Sequence, residues 1–536
     1  MNADRWIPAL ALLLLASTAV QARAAHLAIA QELGSSSDAA ATAQDEATPS
    51  GERPFALRLE DAWRMALANN IGLEREALAE ESARYDLLGS WGAFDPVFDL
   101  SATYIDGQQP QNNPLITGTS VLEFDRRSAR AGLTVPVTTG GRFEFSLDAN
   151  NTRSNSATQG SEFTDTSGSI SYVQPLLRGA WSRVATADQE RAKLALERQR
   201  AQLSEVREQL LLDVHDAYWD LVASLEELEV RRRALELGQE QLRQNRERLR
   251  VGVGTEVDVL QAETNVATRE EQLLLARTQV AQRQDALKAL LFGAQNSDEE
   301  GHRREDWGRD VVPLTGLPTD LDAPDPASWL ERLDTAFERR PDLAGRRADI
   351  QIAEVAVVQR ASEREASLDL TLTASSTASD ESVSESLKSG VSYEFPTYSA
   401  TLSYSLPLRN RAASNAERRA RTDLRAAHLA YAQLENQVVQ QVRDALREVA
   451  YQAQAVAAAT KSRQFAERQL EAEQVRYREG LSTTFQVLEF QQTLSEALSS
   501  EQAARANLAK ARSALLHAEG RLGASLGVGA PPSDAH

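Results

Sequence analysis

"RVGVGTEVDVLQ" (Arg250–Gln261) and "REGLSTTFQVLE" (Arg478–Glu489) are two writings of one turn. Each carries a glycine (Gly252, Gly480), a threonine three residues on (Thr255, Thr483) and then a Val-Leu pair, at a constant offset of 228 residues. Glycine accepts the left-handed backbone that closes a helix C-terminus. Thr255 with Asp258, and Thr483 with Gln486, fit the capping box that opens a new helix. Each stretch therefore predicts a tight helix–turn–helix hairpin. Their repetition predicts that both hairpins lie at the same end of one structure.

Working outward, the likeness spreads over most of the chain. Leu242, Val259 and Leu260 meet Leu470, Val487 and Leu488 at the 228 offset. Nearer the start the offset is 270, where Ala66, Leu73, Asp99 and Leu100 meet Ala336, Leu343, Asp369 and Leu370. The change of offset means that the first half carries extra residues between its strands. The period is far too long for a solenoid, so the chain reads as one internal duplication. Repeat 1 covers 55–292, with a helix, strands at about 94–177, a long helix, the turn 250–255 and a helix. A polar Gly/Pro/Asp-rich linker follows at 293–325. Repeat 2 covers 326–522, with strands at about 366–408 and the turn 478–483; a short tail occupies 523–536.

A tract such as 182–250 would reach about 100 Å as a helix. The shorter helices on either side of it contain about as many residues together. Two short helices stacked end to end beside each long one would give a long four-helix assembly per chain. Leu221, Leu228, Leu235, Leu242 and Leu249 recur every seven residues, as do Val487, Leu494, Leu508, Leu515 and Leu522, with Glu501 breaking the second series. Such seams predict left-handed supercoiling, which a simple rod-like coiled coil would share.

The strand regions separate those readings. "RFEFSLDA", "SLDLTLTA", "ATLSYSLPL" and "ARAGLTVPV" alternate apolar with polar or small residues. Segments of about ten residues with one apolar and one polar face are what a transmembrane β-barrel requires, and a half-buried soluble sheet shares the pattern. The short strand regions also hold a disproportionate share of the aromatics. So few strands cannot close a barrel, and open edges cannot persist in lipid, so several copies must pool their strands.

Composition narrows the rest. The chain has 536 residues, 42% hydrophobic and 6% aromatic, with a formal charge of −20 and no cysteine. The acidic balance argues against a nucleic-acid partner. The missing cysteines exclude disulfides, thiolate metal sites and a lipidated N-terminal cysteine. Residues 1–24 read as a signal peptide: Arg5, the apolar run "ALALLLLA" and "ARA" ending at Ala24. Residues 25–54, poor in large apolar side chains, read as a disordered leader. No Walker-type phosphate loop is present. No two histidines lie within four residues of each other, so His215 reads as a packed side chain and not as a metal ligand. No nucleophile has an evident base. The chain reads as no enzyme, with no cofactor and no metal.

The duplicated helix–strand–strand–helix–helix plan, the opening "LEDAWRMALANN", the corners "YVQPLLRG" and "SYSLPLRN" and the paired turns resemble the TolC family of outer-membrane efflux proteins, from about Leu57 to Leu526. The resemblance implies an α+β membrane protein. A homotrimer would form a twelve-stranded outer-membrane barrel, four strands from each protomer, continuing into a periplasmic α-helical barrel. The short turn "TTGG" at 138–141, between polar stretches at about 106–125 and 152–167, departs from that plan: it leaves open two added strands, giving six per protomer, or an extended hairpin outside the membrane. Such a protein is the passive exit duct of a tripartite efflux pump or type I secretion system. Its partners are an inner-membrane transporter, a periplasmic adaptor and outer-membrane lipid. Gly252, Thr255, Gly480 and Thr483 would lie at the tip where the adaptor docks. By position, Tyr477, Asp258 and Glu489 match the aromatic, the acid and the ring carboxylate of the family's closed entrance. Ser482 stands where that pattern has arginine, and Gln486 where it has aspartate. An acidic lumen would make the open pore prefer cations. A reading from another class is a coiled-coil tether or adhesin without a conduit, which has no use for two-faced strands midway along each helical half.

Overall fold

The computed structural model describes residues 55–110, 120–155, 162–292, 307–380, 386 and 395–527. The signal-peptide reading (1–24), the leader (25–54) and parts of the linker and tail (293–306, 528–536) lie outside them. In chain order the elements are β1 (Phe55–Leu57), α1 (Leu59–Asn69), α2 (Ile71–Ser90), β2 (Val97–Pro110), β3 (Val121–Pro136), β4 (Arg142–Ser154) and β5 (Glu162–Pro175). Then come α3 (Ala187–Arg250), α4 (Glu256–Leu291), β6 (Val311–Pro313), α5 (Trp329–Arg339), α6 (Pro341–Arg364), β7 (Ser367–Asp380), β8 (Pro396–Ser405), α7 (Arg411–Arg478) and α8 (Thr484–Ala518).

The two long helices, α3 with 64 residues and α7 with 68, carry the architecture. Beside α3 lie α2 towards the sheet and α4 towards the turns; α6 and α8 divide the length of α7 in the same way. The end-to-end joints are built twice by equivalent positions. At the first, the Asn70 cap of α2 donates from Nδ2 to the Leu290 carbonyl at the end of α4, at 3.4 Å, and Asn69 reaches Leu291 at 3.2 Å. At the second, Arg340, the cap of α6, donates to the Ala518 carbonyl at the end of α8, at 3.2 Å. Carbonyls left free at a helix end thus receive donors from the helix stacked on it. Both hairpins meet where α3 packs on α8, so the lateral order is α2/α4, α3, α6/α8, α7. Glu501, the break in the leucine series, is buried yet fully answered: Arg463 at 2.5 Å, Arg505 at 2.7 Å and the Thr460 hydroxyl at 2.9 Å all converge on it. A buried carboxylate survives in a helical seam only with such partners.

The strands form one antiparallel sheet in the order β2-β3-β4-β5-β7-β8. Four come from repeat 1 and two from repeat 2, so the four strands per chain that the resemblance implies become six. Asp99 and Asp369 place β2 opposite β7 in the duplication, and the Pro-containing corners place β5 opposite β8. The extra residues are therefore the hairpin β3–β4, joined by a tight turn in which Gly140 takes φ 84°. The alternating segments 129–137 and 142–149 marked both of its strands, while Arg126, Arg127 and Arg130 interrupt the pattern further along β3. In the half of the sheet nearer the helices, cross-strand register keeps one face apolar. Leu100 lies opposite Ala131, and Ala131 opposite Leu147; Phe145 faces Ile170, Ile170 faces Ala374, and Leu370 faces Leu402. The other face is rich in hydroxyls, as in Ser146–Ser169–Ser375. One-residue slips would exchange the faces, so the alternation holds the register.

The largest core lies midway, where α1, α3, α4 and the parallel β1–β6 pair meet. Tyr218, fully buried, donates to the Leu57 carbonyl at 3.1 Å and accepts from the Thr315 amide at 3.0 Å. One turn earlier on α3, His215 stacks on Trp63 with ring centroids 4.6 Å apart and lies 2.7 Å from the Ser513 hydroxyl. Burial pulls its pKa down from 6.5 to about 4. The fold thus favours neutral His215, a contribution complete above pH 6.5 and lost as pH falls towards 4. Its neighbour Asp216, pushed up to about 6 chiefly by burial, acts in the opposite sense. The difference between wild type and His215→Gln isolates the histidine: wild type should lose up to about 3 kcal/mol more between pH 7 and 4. Melting curves across that range measure it, and parallel pH profiles would refute it.

Candidate functional site

The two turns close as helix chemistry dictates. Gly252 has φ 80° and Gly480 φ 77°, and a Cβ added at either would meet nothing, so the demand is on the backbone alone. The Val253 amide donates to the Arg248 carbonyl at 3.0 Å, and the Leu481 amide to that of Arg476 at 2.8 Å, the six-residue closure of a Schellman motif. Thr255 and Thr483 then cap α4 and α8, each with both bonds of the capping box formed.

The turns are joined to each other by a small buried network. Tyr477, on the last turn of α7, donates to Asn245 Oδ1 on α3 at 2.8 Å and lies 3.2 Å from the Thr484 hydroxyl. Asn245 Nδ2 donates in turn to the Asp258 carbonyl at 3.0 Å. The Arg248 guanidinium lies 4.6 Å over the Tyr477 ring and donates to the Tyr477 carbonyl at 3.5 Å. The Thr255 hydroxyl holds the Asp258 carboxyl below the usual carboxylate range, helped by the Thr255 amide, the Thr484 hydroxyl and the charge of Arg248, against the effect of partial burial. Asp258 therefore strengthens the turn at neutral pH, and that contribution is lost as pH falls through its lowered pKa.

Tyr477 and Asp258 are thus brought together, whereas Glu489, exposed on α8, stays outside the network. Ser482 binds the buried Glu473 carboxylate and donates to Gln486 at 3.0 Å, so the second turn is tied down within its own hairpin. The arginine that does approach Tyr477 is Arg248, from the other hairpin. Sequence reading missed Asn245, Arg248 and Thr484: the first two stand more than 200 residues from Tyr477 and become its neighbours only where the two hairpin ends meet, and Thr484 reaches it only across its own turn.

Further from the turns, Arg269 of α4 crosses α3 to reach α8. It donates to the Ala234 carbonyl and, at 3.2 Å, to Gln491 Oε1. Gly238 leaves the notch for it: a Cβ there would lie 3.1 Å from Arg269 Cδ. Among the described residues no carboxylate pairs with this arginine, and burial pulls its pKa down to about 10. The isolated glycine in a long helix was the one sequence signal for this strap.

The arrangement holds helix ends together and offers no chemistry. Among the described residues there is no cluster of metal-binding side chains, and no helix is long and apolar enough to cross a membrane.

The sequence pattern of the outer membrane efflux protein family matches residues 142–293 and 333–528. In the first repeat the match starts with β4, leaving β2 and β3 outside it. Among solved structures, the chain is similar to the CmeC outer membrane channel of Campylobacter jejuni (17% identity, TM-score 0.63, 87% of this chain and 86% of that one). It is likewise similar to the outer membrane protein VceC of Vibrio cholerae (16%, 0.63, 86% and 96%) and to the open state of the MtrE outer membrane channel of Neisseria gonorrhoeae (16%, 0.58, 87% and 89%). Comparison with curated protein sequences gives no match. At these identities the structural likenesses establish the fold.

Tyr477→Phe keeps the ring under Arg248 but removes both hydroxyl bonds, each worth about 1 kcal/mol. Amide hydrogen exchange in 246–258 and 477–486 should quicken together, by roughly five- to thirtyfold if both bonds count in full. A change confined to 477–486 would show the two turns to be uncoupled.

Proposed function

Because the chain belongs to the outer membrane efflux protein family, we propose that three copies join into a closed conduit, with the sheet in the outer membrane and the helices extending through the periplasm. As a family member the chain is an outer-membrane exit duct of efflux pumps and not an enzyme. What carries the closed assembly is the pair of open edges. β2 and β8 end the sheet with one ladder each unpaired, and both are covered with exposed apolar side chains such as Phe98, Leu100, Tyr398 and Leu402. In hydrocarbon those backbone groups must find partners, and the edge of another copy is the partner of matching chemistry. The helices below agree. Leu78 and Tyr85 on α2, and Leu429, Tyr451 and Phe465 on α7, are exposed on the two helices that flank the lateral order.

The apolar face then meets lipid and the hydroxyl-rich face lines the lumen. Gly252, Thr255, Gly480 and Thr483 shape the periplasmic tip. Val253, Val257, Leu481 and Phe485, all exposed around them, offer the apolar contact that a periplasmic adaptor needs. Tyr477, Asp258 and Arg248 hold the two hairpins of a copy together at the entrance, and Glu489 stands free to face the channel. An inner-membrane transporter supplies the energy. A tether without a conduit is the weaker reading, since it leaves the two-faced sheet and its edges without a role.

Membranes separated into inner and outer fractions, followed by native mass measurement in mild detergent, test this. A heat-labile trimer from the outer membrane is expected; a soluble monomer or dimer would end the proposal. Along the polar face of the described strands, Asp99, Glu144, Asp148, Asp165 and Asp369 outnumber Arg126, Arg130 and Arg142. The open pore should therefore prefer cations, and a reversal potential in a salt gradient that shows anion preference would contradict it.

A further inference from the structure

From the width of the sheet we infer that all six strands of each copy stand in the barrel wall, so that three copies make an eighteen-stranded barrel as wide as the helical tunnel beneath it. This rests on the closed trimer proposed above and goes beyond it, because the family resemblance implies twelve strands.

The first observation is that β3–β4 is built as wall. It pairs with β2 over the full length of that strand and with β5 on its other side, in unbroken register. Its apolar side chains continue the apolar face of its neighbours, with Leu133 between Phe98 and Phe145. Its turn sits at the level where the sheet joins the helices: the Trp181 amide donates to the Thr139 carbonyl at 3.0 Å, and a Cβ on Gly140 would lie 2.4 Å from the Gly179 carbonyl oxygen. A hairpin standing outside the membrane would have no use for a lipid-compatible face at that height. The hairpin also enters and leaves on the side of the sheet away from the helices, a clean insertion into a two-strand plan.

The second observation is geometric. Four helices side by side at about 9–10 Å each make an arc of about 36–40 Å per copy. Strands about 4.8 Å apart and tilted by about 40° take some 6.3 Å of circumference each, so six give about 38 Å and four only about 25 Å. Six strands therefore meet the helical ring at the ordinary barrel tilt, where four would have to lean to about 60°. Three copies give a barrel about 36 Å across between backbones, in the range of barrels that hold an aqueous channel.

The consequence concerns cargo. A wall no narrower than the tunnel does no size selection, so anything that passes the tip, an extended polypeptide as well as a small molecule, leaves freely. The surface it meets on β5, β7 and β8 is mostly hydroxyl, with Asp165 and Asp369 among it. On the inserted hairpin it is charge-balanced, with Arg130 3.6 Å from Asp148 and Arg142 2.5 Å from Glu144.

The cysteine-free chain makes the test clean. Single variants Ser128→Cys, Ala129→Cys, Ser146→Cys and Ala149→Cys, conservative in size, carry a nitroxide in the full-length trimer in lipid nanodiscs. Labels at 129 and 149 should respond to oxygen, and those at 128 and 146 to a water-soluble nickel chelate. Uniform access to water at all four would put the hairpin outside the wall and overturn the inference. Ser169→Cys, on a strand common to both plans, reads the width. Backbone separations between copies at this position would be about 31 Å for eighteen strands and about 21 Å for twelve at the same tilt, and the inward-pointing labels shorten both electron–electron distances by the same amount. The shorter distance would overturn it equally. Failure of the trimer itself would show first, in the native mass, and so stays distinguishable.

Discussion

A sheet edge carries a row of amide and carbonyl groups, and hydrocarbon has nothing to offer them. That constraint orders the rest of this molecule. β2 and β8 run in opposite directions at the two edges, so in the proposed assembly the β8 of one copy would meet the β2 of the next as an antiparallel pair, closing a head-to-tail ring without any change of sheet type. The helices inherit the same problem in milder form. α2, α4 and α7 flank the bundle with exposed apolar residues at heptad-like spacing, a seam that water tolerates poorly and a neighbouring copy would cover.

Within one copy, the duplication gives each long helix two short companions, and the joints between those companions bear the strain of the plan. Asn70 and Arg340 solve it with different chemistry at equivalent positions, an amide in one repeat and a guanidinium in the other, each answering free carbonyls at a helix end. Where the repeats have diverged further, divergence makes the contact between them. Asn245 and Glu473 are equivalent and both buried, yet Asn245 receives Tyr477 from the other hairpin while Glu473 binds Ser482 in its own. A perfectly repeated chain could not have made that asymmetric clasp.

Several charges on these long, polar helices are buried: Glu501, Glu417 and Glu519 among the acids, Arg269 among the bases. The acids are paired with arginines from the same or a facing helix. Arg269 instead spends its donors on a backbone carbonyl and an amide side chain, which fixes the separation of the two hairpins more tightly than apolar packing would.

Period and punctuation in the chain were enough for the duplication, the two capped turns, the long helices and the two-faced strands, because each is a local consequence of residue type at fixed spacing. The lone break at Glu501 was visible there too, though not its partners. The alternation at 129–137 and 142–149 announced two more strands, but only the tertiary structure decided that they join the sheet, through the register of β3 with β2 and of β4 with β5. The tertiary structure alone brought Asn245, Arg248 and Thr484 to Tyr477, and carried Arg269 through the notch at Gly238 to Gln491. The contacts of Tyr477 with Asn245 and Arg248, and of Arg269 with Gln491, join residues more than 200 positions apart, and no spacing rule reaches that far.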